Sequence, residues 1–146
     1  MIFHRILLLI LLGVSLIKSD PIGISLKVRC EFNVKWCANL EIYEEDNTFP
    51  TNDFLKKESF CTTDPFKEFN YAPMNLDGDV SPSYEFNVLF HHNCTQGGVR
   101  SWACYYSPEP LAFCPVDGEQ AVSMDVGIGN KWNSKECWPR FADPNF

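Results

Sequence analysis

The chain has 146 residues, and its 19 Asp and Glu outnumber its 12 Lys and Arg, for a net charge of −7. Such a balance leaves no electrostatic footprint for nucleic acid, and it opposes contact with anionic membranes unless a divalent cation bridges the two. Aromatic residues are plentiful, prolines are spread along the chain and no helical apolar stripe persists for several turns. Together these features predict one all-β domain of many short strands.

The first residues read as an address. Met1 to Arg5 is a short, weakly basic start, and Ile6 to Ile17 is an apolar run too short for a comfortable membrane span. Residues 1–19 are therefore expected to be a secretory signal peptide, cleaved after Ser19, with the mature domain covering 20–146. His4 leaves with the signal. No second apolar stretch of spanning length follows, so the mature chain is expected outside the cell or at its surface and not as an integral membrane protein.

Cys30, Cys37, Cys61, Cys94, Cys104, Cys114 and Cys137 all lie beyond the signal, as in an oxidising compartment. Disulfides are the default reading, because no two cysteines have zinc-knuckle spacing; no metal and no cofactor is expected. The odd count leaves one thiol free, modified or shared with a second chain in a disulfide-linked dimer. Leaving one out, the other six pair in about fifteen ways, so spacing alone does not fix the connectivity.

The first mature strand alternates cleanly, with Ile22, Ile24, Leu26, Val28 and Cys30 on one face and Gly23, Ser25, Lys27 and Arg29 on the other. Glu31 to Asn39 reads as a looser connection carrying Trp36 and Cys37. Leu40 to Tyr43 is the second strand, and it runs into Glu44, Glu45 and Asp46, read as a solvated strand end because the spacing lacks the central glycine of an EF-hand. Asn52 or Asp53 is placed to cap one helical turn through Phe54 and Leu55. Short strands are expected at Glu58 to Thr63 and Glu68 to Tyr71. In the loop after Pro73, Asp77-Gly78 is the strongest reversal signal, and turn chemistry accounts for Asp77 and Asp79 without a cation.

Ser83 to Thr95 is the most legible stretch. Tyr84, Phe86, Val88, Phe90, His92 and Cys94 share one parity, while Glu85, Asn87, His91 and Asn93 take the other. Asn93-Cys94-Thr95 is an N-glycosylation acceptor on the outward parity. Adjacent strand residues point to opposite faces, so His91 and His92 are unsuited to chelate one metal or act on one substrate atom. His92 reads as a core-edge residue making one hydrogen bond and His91 as a surface residue. Gln96-Gly97-Gly98 should fold Val99 to Tyr106 back as a hairpin, bringing Cys94 and Cys104 together as a disulfide. Cys114 to Gly118 reads as a second turn, pinned by its cysteine. In the last strand, Ala121 to Ile128, Ala121, Ser123 and Asp125 oppose Val122, Met124, Val126 and Ile128. Trp132, Cys137 and Trp138 follow in a tail expected to pack on the sandwich through Cys137.

Leu40 to Asp46, Asp53-Phe54-Leu55, Thr63-Asp64 with Phe69, and Phe90-His91-His92-Asn93-Cys94 resemble, in order and spacing, the landmarks of the nematode transthyretin-like family. Met124 to Ile128 is similar to that family's last core strand, and Cys137 stands where the family carries a cysteine. The resemblance runs from Ile24 to Cys137. Lys67 replaces a usual turn glycine, Cys37, Cys61 and Cys114 look like additions, and the segment between Cys104 and Ala121 is long and proline-rich. What the resemblance implies is a transthyretin-like (prealbumin-like) β-sandwich of short antiparallel strands, stabilised by disulfides. It also implies a secreted or cell-surface binding protein.

Three functional classes follow. The favoured one is an extracellular module that recognises a surface, a lipid or a protein partner through loops on a rigid sandwich, without catalysis. The second is a carrier of a small apolar ligand, which the aromatic content permits. An enzyme is least expected: the tail Arg140 to Phe146 lacks the tyrosine-arginine-glycine-serine ending of the related hydroxyisourate hydrolases, and no nucleophile elbow is present.

Overall fold

A computed structural model describes residues 20–45, 52–76, 81–98, 102–116 and 118–132. The expected signal peptide, Asp46, the Asp77 to Asp79 turn and the tail cysteine Cys137 with Trp138 lie outside the described residues. The chain is all-β, as its alternation implies. Among the described residues eight strands run in order: β1 (Asp20–Arg29), β2 (Trp36–Glu44), β3 (Asp53–Thr62), β4 (Phe66–Leu76), β5 (Ser83–His92), β6 (Ala103–Tyr106), β7 (Ala112–Pro115) and β8 (Gln120–Gly127).

They form two sheets. One has the order β4-β1-β8; the other has the order β3-β2-β5-β6, with β7 also pairing β5. The pairs are antiparallel except β1 with β8, which run parallel from Ile22↔Gln120 to Arg29↔Gly127. The sandwich core is built where the two parities meet. Ile22, Ile24, Leu26 and Val28 of β1 and Val122, Met124 and Val126 of β8 face Trp36, Leu40 and Ile42 of β2 and Tyr84, Phe86, Val88 and Phe90 of β5, all buried. Alternation predicts the β1 and β8 half of this core because each of those strands removes one face from water.

Four local readings change. The expected connection at Glu31 to Asn39 is in its second half strand: Trp36 opens β2, and its indole Nε1 donates to the Asp64 carbonyl at 2.8 Å. β2 is buried along nearly its whole length, so it offers no alternation to read. No helical turn starts at Asp53; β3 begins there and pairs β2 down to Trp36↔Thr62. Pro73 sits inside β4, which as an edge strand tolerates a residue that cannot donate to a ladder. The segment at Cys114 is strand β7, with Tyr84↔Cys114 in register, and it is not a disulfide-pinned turn: Cys114 is a thiol, 5% exposed.

The disulfides also differ from the expected pattern. Cys94 bonds to Cys30, not to Cys104, although the hairpin forms as expected. The reason is parity. Cys104 stands opposite His91, on the outward side of β5, whereas Cys94 shares the inward parity of His92 and is fully buried. Cys30 follows β1 and Cys94 follows β5, so this bond ties the two sheets together through the core, with Cα atoms 5.8 Å apart. A second disulfide, Cys37–Cys61, staples β2 to β3 at directly opposed positions. Cys104 is disulfide-bonded as well.

Candidate functional site

The outer face of the five-stranded sheet is not simply solvated. Tyr43 and Leu89 are buried there, with Cys104 and Tyr106 packed against them. Around this small apolar patch runs a polar network. The Tyr43 hydroxyl donates to Glu41, which is 6% exposed and lies 3.4 Å from the Lys57 ammonium. The Tyr106 hydroxyl donates to Glu45, and Asn87 Nδ2 donates to the same carboxylate at 2.8 Å and to the Ser107 carbonyl at 3.0 Å. Glu44 is 4% exposed and accepts from the Glu85 amide.

Glu44 and Glu45 were expected as a solvated strand end; they are instead built into the sheet. Asn87, fully buried, holds Glu45 there, because a buried amide needs partners for both donors, and the Glu85 amide holds Glu44. No group of three or more His, Cys, Asp or Glu side chains among the described residues is arranged to hold a metal ion.

A different surface opens where β3 and β4 meet. The two strands are the edges of opposite sheets, joined by the bend at Thr63 to Pro65. Three hydrogen bonds fix that bend: Trp36 Nε1 to the Asp64 carbonyl, Cys30 N to the Pro65 carbonyl at 2.9 Å, and Asp64 N to the Thr62 hydroxyl at 3.0 Å. On this side the core-facing parities of β3 and β4 are only half-covered. Phe60 meets Trp36 edge-on at 5.1 Å and Phe69 at 5.3 Å, and Phe69 lies parallel to Tyr71 at 6.2 Å. Lys67 Nζ stands 5.9 Å over the Phe69 ring, and Lys56 Nζ 5.9 Å over the Tyr71 ring. Neither ammonium has a carboxylate partner among the described residues, unlike Lys27, which pairs Glu68 at 3.0 Å, and Lys57.

Glu58 faces the same strip. Burial first, and the Glu58 carboxylate second, push the Tyr71 phenol above its usual pKa, so Tyr71 stays neutral. Its hydroxyl is enclosed, with no well-formed hydrogen bond among the described residues. The strip thus joins half-exposed rings to two ammonium groups and one carboxylate. Chemically, it can hold an apolar group beside a negatively charged one.

The histidines fall on opposite faces, as strand geometry requires. His92 is fully buried and makes the one hydrogen bond expected, from Nε2 to the Lys131 carbonyl at 3.0 Å. A carbonyl only accepts, so Nε2 carries the proton and Nδ1 is a buried lone pair without a partner among the described residues. Burial pushes the His92 pKa down to about 4, against the opposing pull of that carbonyl. His91, expected at the surface, is half-buried with its ring 4.6 Å from that of Trp102, and burial lowers its pKa too. Trp132, expected to pack on the sandwich, is 77% exposed.

Asn93 follows β5 in a half-buried position. Its Oδ1 accepts the Cys37 amide at 2.7 Å, and its own amide donates to the Cys37 carbonyl at 3.1 Å. The acceptor side chain of the glycosylation motif is thus part of the β2–β5 ladder.

Sequence reasoning placed Phe69 and Tyr71 on a strand but missed the strip they form with Phe60, Lys56 and Lys67. The signal for it was available: aromatic residues at Phe69 and Tyr71, two apart, share a strand face, and each has a lysine close by in a chain otherwise rich in acids.

These features define a disulfide-braced, two-sheet β-sandwich whose described residues include no helix long and apolar enough to cross a membrane. The chain belongs to the family described as Caenorhabditis elegans protein of unknown function (DUF870), whose model matches residues 25–139. No curated protein and no solved structure matches it.

Proposed function

We propose that the chain is a secreted, non-catalytic binding protein of transthyretin-like architecture that recognises a lipid surface or a protein partner outside the cell. The observation that carries this reading is the β3–β4 side, where rigid edge strands hold Phe60, Phe69 and Tyr71 half-open beside Lys56 and Lys67. Disulfides within and between the sheets support the extracellular setting. The partner that fits carries an apolar group and an acidic group close together. The overall charge of −7 opposes a polyanionic surface at long range, so contact depends on presenting this side.

The test is flotation of the secreted protein with neutral and with anionic liposomes, each with calcium and with a chelator. Capture by anionic liposomes that persists in chelator and disappears in a Lys56→Glu, Lys67→Glu double variant is the expected result. Capture only with calcium would move the contact to carboxylates and away from this strip. Absence of capture in every condition would reject the lipid arm and leave a protein partner. The half-exposed rings also suit the second reading, a carrier of a small apolar ligand; a stoichiometric organic molecule in native mass spectra of the purified protein would favour it.

A further inference from the structure

We infer that Cys37–Cys61 is a site of thiol exchange, opened selectively by small extracellular thiols, with Cys61 as the sulfur attacked and Cys37 as the sulfur released. The two cystines whose partners both lie among the described residues are placed very differently. Cys30–Cys94 joins the sheets inside the core, at 1% and 0% exposure. Cys37–Cys61 links directly opposed residues on the outward face of β2 and β3, and Cys61 is exposed on the edge strand. Exchange requires a thiolate to reach a sulfur, so access alone separates the two bonds.

Direction follows from the sheet. A thiolate attacks along the line of the bond it breaks, from the side opposite the leaving sulfur. For Cys61 that approach comes from beyond β3, where among the described residues no further strand is paired. For Cys37 it comes from the β5 side, where Asn93 closes the ladder with hydrogen bonds to both the Cys37 amide and carbonyl. The bond that forms joins the incoming sulfur to Cys61 Sγ, and the Cys37 Sγ–Cys61 Sγ bond breaks. Cys37 leaves as a thiolate and takes a proton from water. A second equivalent of the small thiol then releases Cys61 as a thiol and departs as its own disulfide, two electrons having passed to the protein. Asn93 keeps Cys37 in place throughout, and the ladder from Trp36↔Thr62 to Glu44↔Asp53 holds β3 while the staple is open.

The experiment treats the full secreted protein under native conditions with reduced glutathione at about pH 8, where a few tenths of an ordinary thiol is ionised. Timed samples are quenched with acid, alkylated and mapped by peptide mass. Cys37 and Cys61 should become accessible about tenfold or more faster than Cys30 and Cys94, and the early glutathione adduct should sit on Cys61. Adduct chiefly on Cys37, or opening of Cys30–Cys94 at the same rate, would overturn the inference. A Cys37→Ser variant provides the second reading. It should fold, since the core cystine is untouched, and oxidised glutathione should modify its Cys61 readily; resistance of Cys61 in a variant with native β-sheet circular dichroism would also overturn it.

Discussion

Cys104 stands directly across the β5–β6 ladder from His91, and so on the opposite face of the sheet from Cys94. That pairing is why the hairpin brings the two cysteines near in sequence order without letting them bond. Peptide mapping of the secreted protein should join Cys30 to Cys94 and Cys37 to Cys61. In a Cys104→Ser variant the Cys30–Cys94 peptide should be unchanged; a Cys94–Cys104 peptide from the native protein would refute the register.

The inter-sheet bond should dominate stability. Cys30 and Cys94 are 64 residues apart, and closing a loop of that length in the unfolded chain stabilises the fold by about 4 kcal/mol on the chain-entropy account. The Cys30→Ser, Cys94→Ser pair should lower the unfolding free energy by that order, measured by urea titration. The Cys37→Ser, Cys61→Ser pair closes a separation of only 24 and should cost somewhat less, about 3 kcal/mol.

The pH dependence turns on His92. Its folded pKa, about 4, lies below the unfolded value of 6.5, so between these pH values the unfolded chain binds a proton that the folded chain does not. Stability from this residue is therefore complete above pH 6.5, is lost as pH falls toward 4, and changes no further below that. The loss is roughly 3 kcal/mol. A His92→Gln variant can still donate to the Lys131 carbonyl but does not titrate in this range. Its urea midpoint should fall less steeply between pH 6.5 and 4 than that of the native chain, and equal slopes would exclude His92 as the group responsible.

How much of this was legible in the sequence depended on how evenly each strand divides itself between core and water. β1 and β8 each have one buried face, and alternation marks them well; Ile22 to Val28 and Val122 to Val126 lie where parity puts them, and β5 keeps its alternation in sequence although Asn87 and Leu89 are buried on its other face. β2 is buried on both faces, so Ala38 and Asn39 look like a connection although they pair with His92 and His91. β3 and β4 fail in the opposite sense. As edges beside an open side they keep polar residues on both parities, and Lys56, Glu58 and Lys67 hide the pattern that Phe60, Phe69 and Tyr71 continue. Glu44 and Glu45 depart from expectation because a run of acids at a strand end is ordinarily solvated, and nothing local reveals that Glu85 will meet Glu44, or Asn87 and Tyr106 Glu45, from other strands.

Asn87 is the element on which that acidic end depends. Asn87→Ala removes donors to the Glu45 carboxylate and the buried Ser107 carbonyl, and leaving such groups unsatisfied should cost about 2–3 kcal/mol. Asn87→Asp should be worse at neutral pH, because it sets a second carboxylate against Glu45, and protonation should relieve it as the pH is lowered. Urea titrations of both variants at neutral and mildly acidic pH check the order.

The glycosylation motif is in competition with folding. Asn93 Oδ1 accepts the Cys37 amide, and the next residue, Cys94, is sealed in the core as one half of the inter-sheet disulfide. A glycan is attached to the extended, unfolded acceptor, so occupancy depends on how long residues 93–95 stay open before Cys94 is captured. Delaying capture should raise it. In secreted protein, the fraction shifted by a glycan-removing amidase should be larger for Cys30→Ser than for the native chain. Thr95→Ala should abolish the shift while leaving the Asn93 contact to Cys37 in place, and Asn93→Ala should abolish it and also lose about 1–3 kcal/mol of stability, because the buried-side amide of Cys37 loses its acceptor. Equal occupancy in the native and Cys30→Ser chains would show that disulfide closure does not limit modification at Asn93.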